Sequence, residues 1–333
     1  MRILIGSYPW AFDCPGGGER QLSAYYEHLR ALGVSVNLFN QWKPQFREHD
    51  VFHFFSVMPG SFQLCEHAKK QGLRLVISPN LWVTEETKYW YPHDEIKRLL
   101  TIADRVIVNS KMEADSLARV YELPLERFSV VYNGVEDMFL GAADSRDFKF
   151  RYGLESQRYL LNVANIEPRK NQLRLIEAIK RFPDLKLVVI GLARDESYRD
   201  ECFKLAGDQL MFIGELPYGS PLLRSAYAGC EAFVMPSTLE TPSIAALEAA
   251  ATGAKLVITS VGSTTEYFAD EAEYVSPDST ESISRGIERA LHSPNTSELR
   301  SRIGRSFTWR MIANDLREVY QGELEISERA NTP

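Results

Sequence analysis

Apolar and polar positions along this chain fall into two alternating rhythms. Short runs rich in β-branched and aromatic residues are separated by stretches whose apolar residues recur three and four apart, which is the pattern of βαβ units and a parallel sheet. In the first half the strand-like runs are Arg2 to Ile5, Val34 to Phe39, Val51 to Phe55, Arg74 to Ile77, Arg105 to Val108 and Phe128 to Tyr132. Helical periodicity fills the gaps at Gln21 to Ala31, Phe62 to Gln71, Asp94 to Ala103 and Met112 to Val120. A polar, less periodic stretch from Gly141 to Ser156 interrupts the alternation and reads as a domain boundary. Beyond it come strands at Tyr159 to Val163, Leu185 to Ile190, Met211 to Ile213, Ala232 to Met235 and Lys255 to Ile258. Helices are predicted at Asn171 to Lys180, Tyr198 to Gly207, Pro221 to Ala228, Pro242 to Thr252 and Glu281 to His292. Trp309 to Tyr320 has helical spacing, and Ser327 to Pro333 reads as a frayed tail. The class is α/β, with one plan used twice.

Length agrees, since 333 residues exceed what one core usually reaches. With 44% hydrophobic and 25% charged residues the composition is that of an ordered, water-soluble protein, and no run is apolar and long enough to span a bilayer. Cys14, Cys65, Cys202 and Cys230 are too scattered for a CxxC unit and suggest reduced thiols. With no secretory cleavage site after MRILIGSYPW, a cytoplasmic location is expected. A net charge of -7, with both signs interleaved, offers no cationic face to nucleic acid. Peripheral contact with the inner face of a membrane stays open, because a small local patch suffices for it. The oligomeric state is not legible.

Candidate chemistry concentrates in Pro236 to Gly253, PSTLETPSIAALEAAATG. Thr241 suits an N-cap, Pro242 the first helical position and Gly253 the left-handed residue after the helix. The interior is almost all Ile, Ala and Leu, yet Glu248 stands in the middle and needs a partner that its helix neighbours do not supply. Eight residues separate it from Glu240, or ~12 Å along a helix axis, close to the span from sugar to ribose in a nucleotide sugar. The free N–H groups of a helix start between them favour a diphosphate. The plainer reading has Glu240 facing the helix dipole and Glu248 paired with a distant base. In NVANIEPRKN, Arg169 and Lys170 follow a predicted strand, the crevice side where open sheets bind ligands, although such basic pairs more often face solvent. Gly16, Gly17 and Gly18 allow close approach to a phosphate or sugar but lack the GxGxxG spacing of a dinucleotide site, so a plain tight loop fits as well.

With these segments taken together, nearly the whole chain resembles glycosyltransferase family 4. EPRKNQLRLIEA resembles that family's donor phosphate motif, and Glu240 to Glu248 its Glu-x7-Glu signature. VIVNSKMEAD, VVYNGVE, GSTTEYF and YVSP resemble further family marks. The resemblance implies a GT-B architecture, two Rossmann-like domains with parallel sheets facing a central cleft. It implies an acceptor domain over 1–145, a nucleotide-sugar donor domain over 146–305 and a helix at 306–325 that crosses back to the first domain. It places Lys170 on the diphosphate, Glu248 on the ribose, and Glu240 with the backbone of Thr241, Pro242, Ser243 and Ile244 on the transferred sugar. Gly16 and Gly17 would close over donor phosphate and acceptor. Three positions depart from the family pattern: Asn165 stands where an arginine is common, Ser243 where glycine is common, and Asn80 where a histidine is common. Asn80 and His93 are candidates for the acceptor side, while His53 is a poor substitute for the histidine.

The implied reaction is retaining transfer from a nucleotide-diphosphate sugar, UDP-linked ahead of GDP-mannose, to a glycan or lipid-linked acceptor of a bacterial surface polysaccharide. Front-side displacement would then rest on positioning and on stabilising the leaving phosphate. No Asp-x-Asp pair occurs, and neither a metal nor another cofactor is expected. Lys170→Ala or Glu248→Ala is expected to leave folding intact and sharply reduce transfer. A nucleotide-sugar epimerase, a sugar phosphorylase, an NAD-dependent dehydrogenase and a non-catalytic sugar-binding or assembly subunit are the rival readings.

Overall fold

The computed structural model describes residues 1–13, 16–294 and 297–330. Two compact units emerge: Met1–Gly134 together with the terminal helix from Trp309, and Val135–Thr308.

The first unit holds β1 (Arg2–Gly6), β2 (Ser35–Leu38), β3 (Val51–Phe55), β4 (Arg74–Ser78), β5 (Arg105–Val108) and β6 (Phe128–Val130), in the order β2-β1-β3-β4-β5-β6. The second holds β7 (Arg158–Val163), β8 (Leu185–Ile190), β9 (Leu210–Gly214), β10 (Ala232–Met235), β11 (Leu256–Thr259) and β12 (Glu273–Val275), in the order β12-β11-β10-β7-β8-β9. Every pairing is parallel. Both central strands are buried on both faces, which is why β3 (VFHFF) and β10 (AFVM) read as unbroken apolar runs rather than alternating ones. Each sheet reverses its winding once, between β1 and β3 in the first and between β7 and β10 in the second. Open α/β sheets bind ligands at the carboxyl ends of the strands flanking such a reversal.

The structure departs from the sequence reading in several places. The polar stretch after Gly141 contains a helix, Ser145–Arg151, whose Phe148 is fully buried and whose backbone N–H donates to Ser225 Oγ at 2.8 Å. It therefore belongs to the second unit, and the division falls between Gly134 and Val135 rather than at 145. Strand β12, three residues at a sheet edge, was too short to read. A helix at Glu298–Ser306 precedes the terminal one, so the latter starts at Trp309 rather than 306.

The terminal helix also continues to Ala330, past the tail expected from Ser327. Buried Glu323 accepts from Arg74 Nη2 and from Arg105 Nη2, each at 2.7 Å, and Trp309 packs edge-on against Tyr25. These contacts, too distant in sequence to be legible, fasten the helix to the first unit. Residues 331–333 of the expected tail lie outside the described residues, as does Cys14; Cys65, Cys202 and Cys230 are unpaired thiols.

Candidate active site

The segments leaving β7 and β10 run side by side at the second sheet's reversal. Thr238 N donates to Arg169 O at 2.9 Å, so the two loops share a backbone hydrogen bond. Asn171, with φ 60°, sends both amide protons across the sheet, to Pro236 O and Pro277 O at 2.8 Å each. Beneath them, buried Gln172 donates to Asn165 O at 2.9 Å, and Asn162 donates to Val234 O at 2.7 Å. This amide lattice fixes the basic turn. Asn171→Ala is expected to lower stability by about 2–3 kcal/mol, from two lost hydrogen bonds plus left-handed strain, and Asn171→Gly by less, because only the bonds go. Thermal melts of the two variants check the split.

On this base stands the ion pair. Lys170 Nζ lies 2.5 Å from Glu240 Oε1, and Arg169 Nη1 lies 3.8 Å from the same oxygen. Glu240 is 5% exposed. Burial pushes its carboxyl up, and the charges of Lys170 and Arg169 outweigh that and hold it below the usual value. The backbone of Glu240 is clasped as well: its N–H donates to Val261 O at 3.2 Å, and its carbonyl accepts from Ser263 N at 3.1 Å. Arg169 is half exposed and also bonds Glu167 Oε1 at 3.1 Å.

That clasp changes the expected helix. Thr241 is not the N-cap and Pro242 is not its first residue; the helix runs Ile244–Thr252, and Ser243 caps it through Oγ, which accepts from Ala246 N at 3.3 Å. The peptide between Thr241 and Pro242 is cis. Ser243 holds φ 82°, a backbone state that favours glycine, the residue that the resemblance leads one to expect there. The eight-residue axial separation of Glu240 and Glu248 does not apply either, since Glu240 lies in the clasped loop. Glu248 is buried, and Tyr227 Oη donates to its Oε2 at 2.7 Å. Nothing in the sequence pattern marked Tyr227. Gly253 closes the helix with φ 96°, as read.

Asn165, one of the three departures from the family pattern, lies in the turn after β7. Its Oδ1 accepts from Leu192 N at 3.3 Å, which ties the turn after β7 to that after β8.

In the first unit the glycine turn and Asn80 come together. A Cβ on Gly18 would sit 3.0 Å from Asn80 Nδ2, whereas one on Gly17 would meet open space. Asn80, at φ 47°, accepts from Asn109 Nδ2 at 3.2 Å, and Asn109 Oδ1 accepts from Gln21 Nε2 at 2.7 Å. Gly16 N donates to Glu19 Oε2 at 2.7 Å, half of a capping box that the spacing from Gly16 to Glu19 could have revealed. His93 joins neither. It opens the helix His93–Ile102 and stacks on Tyr121 with ring centroids 4.9 Å apart. His53 is fully buried between Tyr320 Oη at 2.5 Å and Ser78 Oγ at 2.8 Å, and burial pushes it down to about 3. Among the described residues no cluster of three or more His, Cys, Asp or Glu side chains could hold a metal ion, and no helix is long and apolar enough to cross a membrane.

Residues 144–307 match the family described as "Glycosyl transferases group 1", and residues 39–138 match "Glycosyltransferase Family 4". An uncharacterized glycosyltransferase of Methanocaldococcus jannaschii is 26% identical over 68% of this chain and 62% of its own length. A D-inositol 3-phosphate glycosyltransferase of Mycobacteroides abscessus is 27% identical over 51% of this chain and 40% of its own. The chain thus spans less than two thirds of either relative. A crystal structure of Anabaena HepE in complex with UDP-glucose superposes with a TM-score of 0.80 at 16% identity, covering 97% of this chain and all of that one, so the two share the GT-B fold.

Proposed function

Because this chain belongs to the family 4 glycosyltransferases, we propose that it moves a sugar, with retention, from a nucleotide-diphosphate donor to a hydroxyl of a glycan or lipid-linked acceptor of a bacterial surface polysaccharide. The observation that carries this reading is the buried Lys170–Glu240 pair at the strand-order reversal beside the helix start at Ile244. Lysine has three ammonium protons, and Glu240 takes one. The others and the Arg169 guanidinium meet the diphosphate, with the free N–H groups of the helix start adding partial positive charge. Glu248, held by Tyr227, accepts from the ribose hydroxyls. The backbone from Thr241 to Ile244 and the Glu240 carboxylate contact the transferred sugar.

Leaving-group charge is then met by side chains and a helix end, and the reaction runs without a metal or other cofactor. The C–O bond to the diphosphate breaks as the acceptor oxygen approaches the same face, and the departing phosphate oxygen takes the acceptor's proton. A UDP-sugar is favoured over GDP-mannose. We place the enzyme in the cytoplasm or at the inner face of the membrane.

Thermal melts with UDP, UDP-glucose, GDP and GDP-mannose test the reading. A true donor nucleotide at about a hundredfold its Kd adds about 2.7 kcal/mol of stability, a rise of several degrees for a unit of this size. The rise is expected with the uridine ligands and is expected to shrink in Glu248→Gln, which keeps the Tyr227 bond but loses the carboxylate. Silence from all four ligands would sink the reading.

A further inference from the structure

The first unit holds a second structure-built site. A cavity of about 860 Å³ opens where β1 and β3 flank the strand-order reversal of the first sheet, reaching from Ile5, Gly6 and Ser7 to Phe54 and to the start of the helix Ser61–Lys70. Its size suits a small-molecule ligand, and its place is the one that the topology of an open sheet reserves for one.

None of its described lining residues is charged. The walls are aromatic, with Tyr8, Trp10 and Phe12 on one loop and Phe39 and Trp42 on another, and the two tryptophans are 54% and 84% exposed. Between the rings stand the amides of Asn40 and Gln41 and the hydroxyls of Ser7 and Ser61. Asn40 Oδ1 accepts from Trp42 N at 2.9 Å, which leaves its amide protons over. The first loop is held in place: Tyr8 packs edge-on against Trp10 at 5.5 Å and donates through Oη to Glu19 Oε1 at 2.9 Å, the carboxylate whose other oxygen holds Gly16 N.

This chemistry selects its occupant. An anionic ligand would leave water for a cavity whose described lining carries no cation, and at the start of the helix Ser61–Lys70 the Glu95 carboxylate already takes the Gly60 N–H at 2.7 Å. A purely apolar chain would cover the amides of Asn40 and Gln41 without pairing them, while the Ser7 and Ser61 hydroxyls already donate to Phe55 O and Met58 O. A neutral sugar ring presents an apolar C–H face to an aromatic ring and hydroxyls to amides at the same time. We propose that this cavity binds an uncharged glycosyl residue of the acceptor, so that the enzyme extends neutral glycan ends and rejects those bearing phosphate or carboxylate at that residue. This narrows the acceptor half of the proposed function and rests on it, while leaving the donor half untouched.

The test is binding of the labelled full chain to an array carrying neutral, uronate-bearing and phosphate-bearing glycans, beside Trp10→Ala/Trp42→Ala and Trp10→Phe/Trp42→Phe. Binding is expected on neutral glycans alone, weakened about tenfold or more by the alanine pair and largely kept by the phenylalanine pair, since a ring contact of ~1.4 kcal/mol corresponds to tenfold. Equal or stronger binding to charged glycans, silence on every neutral glycan, or an unchanged alanine pair overturns the proposal. So does sedimentation with phosphatidylcholine vesicles that the alanine pair abolishes, which would make this a lipid-facing patch. Stabilisation by UDP is measured on the same preparations. Its loss in the wild type with neutral-glycan binding intact would count against the donor reading alone, and the converse against this one alone.

Discussion

Lys170→Ala is expected to lose about 3–5 kcal/mol of stability at neutral pH and to recover much of it in acid, because the substitution strands a buried carboxylate. In the wild type the folded-state pKa of Glu240 lies below its ordinary 4.5. Its stabilising contribution is therefore present above 4.5 and fades as pH falls through the lower folded value. Burial, the largest single influence on this group, pushes the other way, and Lys170 is the foremost of the charges that overcome it. Without Lys170 the remaining charge is that of half-exposed Arg169, 3.8 Å away, beside the Ser237 hydroxyl. Burial then prevails, the folded pKa rises above 4.5, and the sign reverses: the variant is at its best below 4.5 and loses stability as pH rises past it. This outcome departs from the expectation that Lys170→Ala leaves folding intact, and the melts decide between the two. Melting temperatures of both proteins between pH 3.5 and 8 would show the gap widening toward neutrality, and Lys170→Ala/Glu240→Gln should close most of it at pH 7. A gap of constant size across that range would refute the account. Turnover of the double variant, folded as it is, should still fall about 10²–10³-fold for want of the cation facing the leaving group.

How much of this was legible depended on the distance over which each cause acts. The strands were, because β3 and β10 carry their burial in their own residues. Glu248 stood out too, since a charge inside an alanine-rich helix contradicts its surroundings whatever the fold, while Lys170 and Glu240 were singled out by their place in the motifs. Their geometry was not legible. Thr241 and Ser243 are equally good caps by composition, and Pro242 favours the first; the choice is made by Gly262, which bridges in parallel to Glu240 and holds it out of the helix. Tyr227 reads as one more core aromatic until the structure sets its hydroxyl on Glu248. Phe148 was lost in a polar stretch because one buried ring in a seven-residue helix leaves no periodicity to detect. The aromatic cavity escaped for a related reason: Trp10 and Trp42 lie far apart in sequence, and only the adjacency of β1 and β2 brings their loops together.

If the Glu240 clasp sets the donor site, a residue with little freedom beside it is Gly262. It sits at φ 104°, and a Cβ there would lie 2.0 Å from Glu240 O, 3.0 Å from its carbonyl carbon and 3.1 Å from its N. All three are backbone atoms, so no side chain can swing aside; Glu240 or its loop must move. Gly262→Ala is therefore expected to cost about 2–4 kcal/mol and, by shifting Glu240 from Lys170, to remove stabilisation by UDP-glucose. Gly253→Ala separates the two causes. Gly253 has a similar φ of 96°, but a Cβ there would meet nothing nearer than Arg300 Cδ at 3.9 Å, so it carries the backbone strain without the collision. That variant should lose about 1 kcal/mol and keep its response to UDP-glucose. With each kcal/mol worth about 2–4 °C in a unit of this size, the two melting temperatures should differ by several degrees. Equal losses with ligand response intact in both would mean that Glu240 tolerates displacement, and the donor site would then have to be sought away from the Lys170–Glu240 pair.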